Sequence, residues 1–573
     1  MSESNVRLEC KFATYALSLR GKSDILFVKE NIIDENGNST PHTRILKDMK
    51  RDYYLTKPAY RDHNDKKDYE EVSKLQKFTC PQWDLANHIS KMLGKGATDL
   101  PLRRVNRSPY VYGADIEPTS IVKAMYEAKF PGNMTPYTVS VFDIETEMND
   151  ESRKGEAIMG SLTFKDRTFT FIDRRYFGGE SDERIHQKLT EAWFKYLGEY
   201  AEKRGIKSPE FVLVDNPADG FVETFKRAHE WKPDFITGWN VLEFDYKVVA
   251  QTLANAGINI ADVICDPSVP PEYRNVFYYE GKTHKVKDDG KNVTKTSLAN
   301  YEKWPYVNAP ASFRWADSMC AYYYLRIGGG KELNYKLDSI AEKVLGVTKM
   351  KFSEAEGYHG AEWHEFMQAN YKYEYVMYNI FDCIVVEMMD EKTSDLSAAV
   401  PVFCGVSDYR NFISQPTRIA EAMHYDVMKE GYIWGTTSDQ MRTELDDHIQ
   451  GLGGWIVMLP TELVALNGKA MFKELPKVKS YVRIGTNDID VEGAYPTGTV
   501  IMNVGKQTTW IEMTKIEGLD DTEYRQVAVN LAAGGMNNAG ELARILYKAP
   551  DTVTLLEDFM KEKNIVIDFM AAA

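Results

Sequence analysis

Residues 139–147 read Val-Ser-Val-Phe-Asp-Ile-Glu-Thr-Glu. Val139 and Val141 recur at strand period, and the run turns acidic at Asp143 and Glu145. Side chains two apart on a strand point the same way, so this spacing predicts both carboxylates on one face. Like charges so close repel and are costly to bury. The cost falls if they hold divalent cations, which prefer hard oxygen ligands. A DxE triplet alone is common in a chain that is 27% charged. Its meaning depends on the rest of the sequence.

Around this strand the pattern is α/β. Tyr137–Ile144, Ala157–Phe164 and Arg167–Ile172 read as three strands in sequence, an antiparallel meander turning at Lys165-Asp166. Apolar residues from Ile185 to Lys203 recur at helical spacing. Phe211–Val214 reads as a strand, Gly220–Glu230 as a helix and Phe235–Thr237 as a short buried strand ended by Gly238. Asn240 to Asp245 then lies on the turn into a helix. That places Asp245 near the end of a sheet strand, where α/β proteins build their sites. Asp is also a common helix cap, and both roles are open to Asp245. Lys336–Leu345 reads as a helix stopped by Gly346. One longer helix is expected from about Glu362 to Met389, with Tyr378 and Asp382 one turn apart on a single face.

The flanks are less telling. Ile25–Val28 reads as a strand followed by a turn at Asp34–Asn38, and Pro118–Ala128 as a helix broken by Pro131-Gly132. The polar stretch Lys47–Lys77 reads as a solvated loop or exposed helix. Residues 266–310 form an insertion rich in Pro, Lys and Tyr. Within it, Lys285-Val-Lys287-Asp-Asp-Gly-Lys carries a hairpin signal at Asp289-Gly290. It is either a solvated loop or a hairpin that touches nucleic acid. Ile419–Lys429 reads as helical. Farther on, Tyr481-Val-Arg-Ile leads to Asn-Asp-Ile-Asp490-Val-Glu-Gly-Ala-Tyr495-Pro, a strand running into a tight acidic turn.

Composition bounds the function. At 573 residues the chain has room for three or four domains. With 43% hydrophobic and 12% aromatic residues it is globular rather than disordered. A net charge of −15 excludes a general nucleic-acid coat protein but not local basic patches. The six cysteines, at 10, 80, 265, 320, 383 and 404, contain no CxxC pair, which argues against zinc and fits a reducing cytosol. No apolar run reaches the ~18 residues of a spanning helix, and the N-terminus lacks a signal peptide's apolar segment. The expectation is a cytoplasmic protein with no membrane partner.

Four acids thus stand on three elements: Asp143 with Glu145, then Asp245, then Asp382. In this order, with Asn240-x-x-x-Phe244-Asp245 and Tyr378-x-x-x-Asp382, they resemble the three exonuclease motifs of family B DNA polymerases. Leu337-Asp-Ser-Ile-Ala extends the match, and Asp490-x-x-Gly-Ala-Tyr495-Pro496 resembles that family's first palm motif. The similarity runs in order over roughly residues 100–500 and is greatest to replicative polymerases of tailed bacteriophages, which implies a bacterial host cytoplasm.

The resemblance implies a ribonuclease-H-like 3′–5′ proofreading exonuclease at 136–395. An N-terminal mixed domain (1–135) would precede it. A helical return to that domain (396–450) and a partial palm (451–573) would follow. It also implies two Mg²⁺ or Mn²⁺ ions at the exonuclease site. Asp143 would bridge both, Glu145 and Asp245 would share the rest, and Asp382 would hold the ion carrying the attacking water. Tyr378 would orient that water, since an ordinary Tyr pKa of about 10 suits positioning better than proton removal. Asn240, Phe244, Lys285 and Lys287 would contact DNA. Asp490 would be a metal ligand for nucleotide addition, and Tyr495 would contact the incoming nucleotide and exclude ribose.

Departures accompany the likeness. Gly493-Ala494 stands where the family has Ser-Leu, and Gly453-Gly454 lacks the aromatic expected before it. After Asp490 there is neither a Lys-x-x-x-Asn-Ser-x-Tyr-Gly helix nor an Asp-Thr-Asp turn, and too little chain for a thumb. The expectation is the front part of a polymerase acting on primer-template and single-stranded DNA. It would use dNTPs only with a C-terminal polymerase polypeptide. A non-catalytic architectural subunit and a stand-alone exonuclease are the alternatives.

Overall fold

A computed structural model describes residues 7–435 except positions 65, 68, 99, 133, 289–292 and 349. Asp490, Tyr495, Gly453-Gly454 and the partial palm therefore lie outside the described residues, as does the turn Asp289-Gly290. The described chain is a mixed α/β assembly with several sheets and 14 α-helices.

Two small sheets open it. β1 (Arg7–Leu17), β2 (Asp24–Ile33) and β3 (Ser39–Lys47) are antiparallel in the order β1-β2-β3. The turn between β2 and β3 forms because the Asp34 carboxylate accepts the N–H groups of Asn36 and Asn38. β4 (Lys50–Thr56), β5 (Tyr69–Glu71), β6 (Leu75–Pro81), α1 (Leu85–Met92), α2 (Leu102–Val105), β7 (Val111–Tyr112) and α3 (Pro118–Lys129) follow. β6-β4-β7 make the second sheet.

The polar stretch Lys47–Lys77 is thus neither a loop nor an exposed helix throughout. Tyr53 and Leu55 of β4 are buried, while Lys50 and Asp52 are exposed, as on a half-buried strand. Even Lys66 is buried. Its ammonium donates to the carbonyls of Asn106 and Ser108 and lies 4.4 Å from the Tyr112 ring centroid. Burial pulls its pKa down to about 7.

The central sheet comes next. β8 (Val139–Thr146), β9 (Ala157–Phe164) and β10 (Arg167–Asp173) form the expected antiparallel meander, with Lys165 at φ 55° in its tight turn. After α4 (Asp182–Arg204), β11 (Glu210–Val214) runs parallel to β10. After α5 (Pro217–Trp231), β12 (Phe235–Thr237) runs parallel to β8 on its other side. Next come α6 (Asp245–Asn255), α7 (Ile260–Ile264), β13 (Phe277–Tyr279), the ribbon β14 (His284–Asp288) with β15 (Val293–Ser297), α8 (Asn300–Lys303) and β16 (Tyr306–Asn308). β16 pairs with β13, and β17 (Arg314–Trp315) runs parallel to β12, completing the order β11-β10-β9-β8-β12-β17.

Strand alternation divides the core into two layers. Phe142, Ile144, Leu162, Phe169 and Phe171 pack with Phe221 and Phe225 of α5 and Val249 and Leu253 of α6. Val141, Ile158, Met159 and Ile172 face the opposite way. They meet α4 and the four helices α9 (Ser318–Arg326), α10 (Leu337–Leu345), α11 (Ala361–Asn370) and α12 (Lys372–Thr393), all of which contribute to this layer's buried cluster. Asp143 and Glu145 share the parity of Val141 and so stand on the α12 side.

Two helices replace the single one expected over 362–389. Tyr371, at φ −132° and ψ 55°, ends α11 and begins α12. No Pro or Gly marks this break, so the helical pattern reads straight through it.

The segment after α12 contains α13 (Val400–Cys404), α14 (Gln415–Lys429) and β18 (Tyr432–Trp434), which pairs with β5. It is tied back by a bidentate Arg314–Asp408 pair at 2.7 and 3.0 Å and by Arg410 to Glu117. Met1–Thr436 clusters as one compact unit. Among the described residues no helix is long and apolar enough to cross a membrane.

Candidate active site

The acids of the sequence meet at the carboxyl end of β8. Asp143 and Glu145 are half-buried on its α12 face, and a register irregularity falls between Glu145 and Thr146. Asp245 arrives from the other side of the sheet. The loop that carries it is tightly specified. A Cβ at Gly238 would sit 2.5 Å from the Phe142 carbonyl oxygen, so only glycine allows the approach. Asn240 then takes φ 68°. The buried Asp317 carboxylate accepts the N–H groups of Asn240 and Leu242 at 3.3 Å each, and it also caps α9 through the N–H groups of Met319 and Cys320. Burial pushes its pKa up to about 6.

Asp245 is the first residue of α6, whose N-cap is Phe244. Its carboxylate does not cap that helix. It reaches across to accept the Ile144 N–H at 3.0 Å, between the two acids of β8. Burial holds its pKa well above the carboxylate range, with Glu145 and Asp317 adding to the effect. Asp382 and Tyr378 sit on α12, both buried. Asp143, Asp382 and Asp245 all act on the Cys383 thiol, whose pKa burial and these carboxylates push well up. By geometry, α6 reaches the end of β8 through the Asp245–Ile144 bond, and α12 reaches it through Asn379 and Asp143.

α12 also brings residues that the sequence reading did not single out. Asn379 Nδ2 donates to Asp143 Oδ2 at 2.7 Å. The Tyr375 hydroxyl donates to Glu145 Oε2, and the buried phenol is held well above its ordinary pKa by burial and by Glu145. Tyr375 and Tyr378 lie parallel with ring centroids 5.9 Å apart. Trp363 and His364 of α11 pack against both. The signal was legible: Tyr375, Tyr378, Asn379 and Asp382 follow i, i+3, i+4, i+7, a polar stripe in the otherwise apolar middle of the helix.

The other expected contacts lie nearby or apart. Asn240 Oδ1 accepts from Asn300 Nδ2 at 3.1 Å, and Phe244 is 47% exposed at the start of α6. Lys285 is exposed on β14 opposite Thr296, and Lys287 pairs in register with Thr294.

As the side chains stand, among the described residues no three His, Cys, Asp or Glu groups are gathered closely enough to hold a metal ion. The donor chemistry nonetheless suits one. Four oxygen ligands from Asp143, Glu145, Asp245 and Asp382 are what a hard divalent cation takes. Positive charge there would relieve the penalty on Asp245.

No family model matches the chain, and no curated protein matches it.

Proposed function

We propose that this chain is a polypeptide of a family B-type DNA polymerase and carries a metal-dependent 3′–5′ exonuclease. The observation behind this reading is that two helices distant in sequence reach the end of the central strand that carries Asp143 and Glu145: Asp245 of α6 accepts the Ile144 N–H, and Asn379 of α12, one turn from Asp382, donates to Asp143. The sheet agrees with a ribonuclease-H-like domain: an antiparallel meander continued beyond its first strand by two parallel strands.

Two Mg²⁺ or Mn²⁺ ions, held by the four acids, would supply an activated water and neutralise charge at the phosphorus. The chain's own residues do the rest. Phe244 offers an exposed ring on which a terminal base can stack. Asn240, fixed by Asp317 and Asn300, meets the strand beside it. Tyr378 orients the attacking water with its hydroxyl. Buried Asn379 and Tyr375 restrain Asp143 and Glu145 as ligands for those ions. The product is a nucleoside 5′-monophosphate.

The purified chain with Mg²⁺ is expected to shorten single-stranded DNA from its 3′ end, and the Asp143→Ala/Glu145→Ala variant to leave it intact. Equal digestion by both would overturn the assignment.

A further inference from the structure

Three side chains beyond the four acids share one hydroxyl. The Tyr375 oxygen lies against Glu145 Oε2, 2.7 Å from His364 Nδ1 and 3.3 Å from Gln368 Nε2. A phenol has one proton to give. The surrounding bonds decide where it goes.

Gln368 has a fixed orientation. Its Oε1 accepts the Met148 N–H at 3.0 Å, and its Nε2 donates to the Thr146 carbonyl at 2.8 Å. The second Nε2 proton therefore points at the Tyr375 oxygen. If Tyr375 gave its proton to His364, a phenol lone pair would face the Glu145 carboxylate at hydrogen-bond distance, which is repulsive. Tyr375 therefore donates to Glu145. His364 Nδ1 must then carry a proton and donate to Tyr375, which settles the tautomer of a neutral His364. Gln368 and His364 thus donate to the Tyr375 oxygen, and Tyr375 donates to Glu145.

The set also has a structural anchor. His364 and Gln368 lie one turn apart on α11, and Gln368 bridges α11 to the end of β8. The break at Tyr371 turns α11 so that these two side chains face Tyr375 of α12. Glu145 itself stands beside the strand irregularity, with several torsions to restrain.

We propose that Tyr375, oriented by Gln368 and His364, is a positioning residue that fixes the Glu145 carboxylate as a metal ligand, with His364 as the outer member of the relay. This rests on the exonuclease reading above. Neither residue touches the reacting atoms. Partners of this kind alter metal affinity or activity by about 10–100-fold when removed.

The test reads metal binding directly, by electron paramagnetic resonance titration of Mn²⁺ into the full chain without DNA. Tyr375→Phe should weaken the tighter Mn²⁺ binding by about 10–100-fold. His364→Ala should shift it the same way by less. His364→Asn, whose Nδ2 can replace the ring Nδ1 as donor, should restore it. A Tyr375→Phe isotherm equal to wild type would overturn the proposal. So would equal impairment of His364→Ala and His364→Asn, which decides the matter even if Tyr375→Phe fails to fold. If Asp143→Ala/Glu145→Ala binds Mn²⁺ like wild type, the exonuclease reading itself fails, an outcome distinct from failure of the relay.

Discussion

Phe171 occupies a slot made by two glycines. A Cβ built at Gly220 of α5 would lie 2.2, 2.4 and 2.7 Å from ring atoms of Phe171, and one at Gly160 of β9 would lie 2.5 Å from the ring's other edge. The ring is fully buried and cannot move away from one glycine without meeting the backbone at the other. Gly220→Ala therefore sets two effects against each other. Alanine in a helix interior is favoured over glycine by about 1 kcal/mol. Overpacking a close-fitting core costs about 1–3 kcal/mol, and a ring hemmed on both sides belongs at the upper end. The net expectation is a loss of about 2 kcal/mol, read as a lower urea midpoint at unchanged slope. Adding Phe171→Leu should recover part of the loss, because a smaller side chain makes room for the new methyl. A Gly220→Ala protein more stable than wild type, or one that Phe171→Leu does not help, would refute the packing of α5 on the β9–β10 hairpin.

Two further outcomes follow from buried carboxylates. Asp317→Ala leaves the N–H groups of Asn240, Leu242, Met319 and Cys320 without their acceptor. It should cost about 3–5 kcal/mol in urea unfolding, and wild-type stability would contradict its role in holding the Asp245 loop. Burial pushes the Glu387 carboxyl up to about 7 against the pull of Arg204, the Lys165 N–H and Thr163. A folded pKa above the unfolded value means the native state binds the proton more tightly. The stability from this group is full below about pH 4.5 and is lost as pH rises to about 7. Glu387→Gln should remove about 2–3 kcal/mol of the stability difference between pH 5 and pH 8, and an unchanged difference would refute it.

Much of the fold was readable because strand and helix periods differ. The meander 139–173, the strand Phe235–Thr237 and the glycine stop of α10 at Gly346 follow from local patterns and turn chemistry. What escaped was set by distant contacts. Nothing local marks Tyr371 as a break, because α11 turns there to place His364 and Gln368 against Tyr375. Lys66 reads as solvated until three backbone and ring partners, all more than 35 residues on, are known to surround it. At the site the acids were legible as types and spacings. Asp317 was not, since its task is to accept backbone N–H groups from a loop some 75 residues earlier. For Asp245 the sequence left two roles open, helix cap and site residue, and its carboxylate bonds to a strand about 100 residues earlier.

The most direct measurement takes one acid from each element. Asp143→Ala, Asp245→Ala and Asp382→Ala are compared with wild type for Mg²⁺-dependent release of 5′-mononucleotides from the 3′ end of single-stranded DNA. The prediction is that each falls by roughly 100-fold or more, since each removes a ligand from one shared site. A wild-type rate in any of the three, with the protein folded, would contradict a single active site built from β8, α6 and α12.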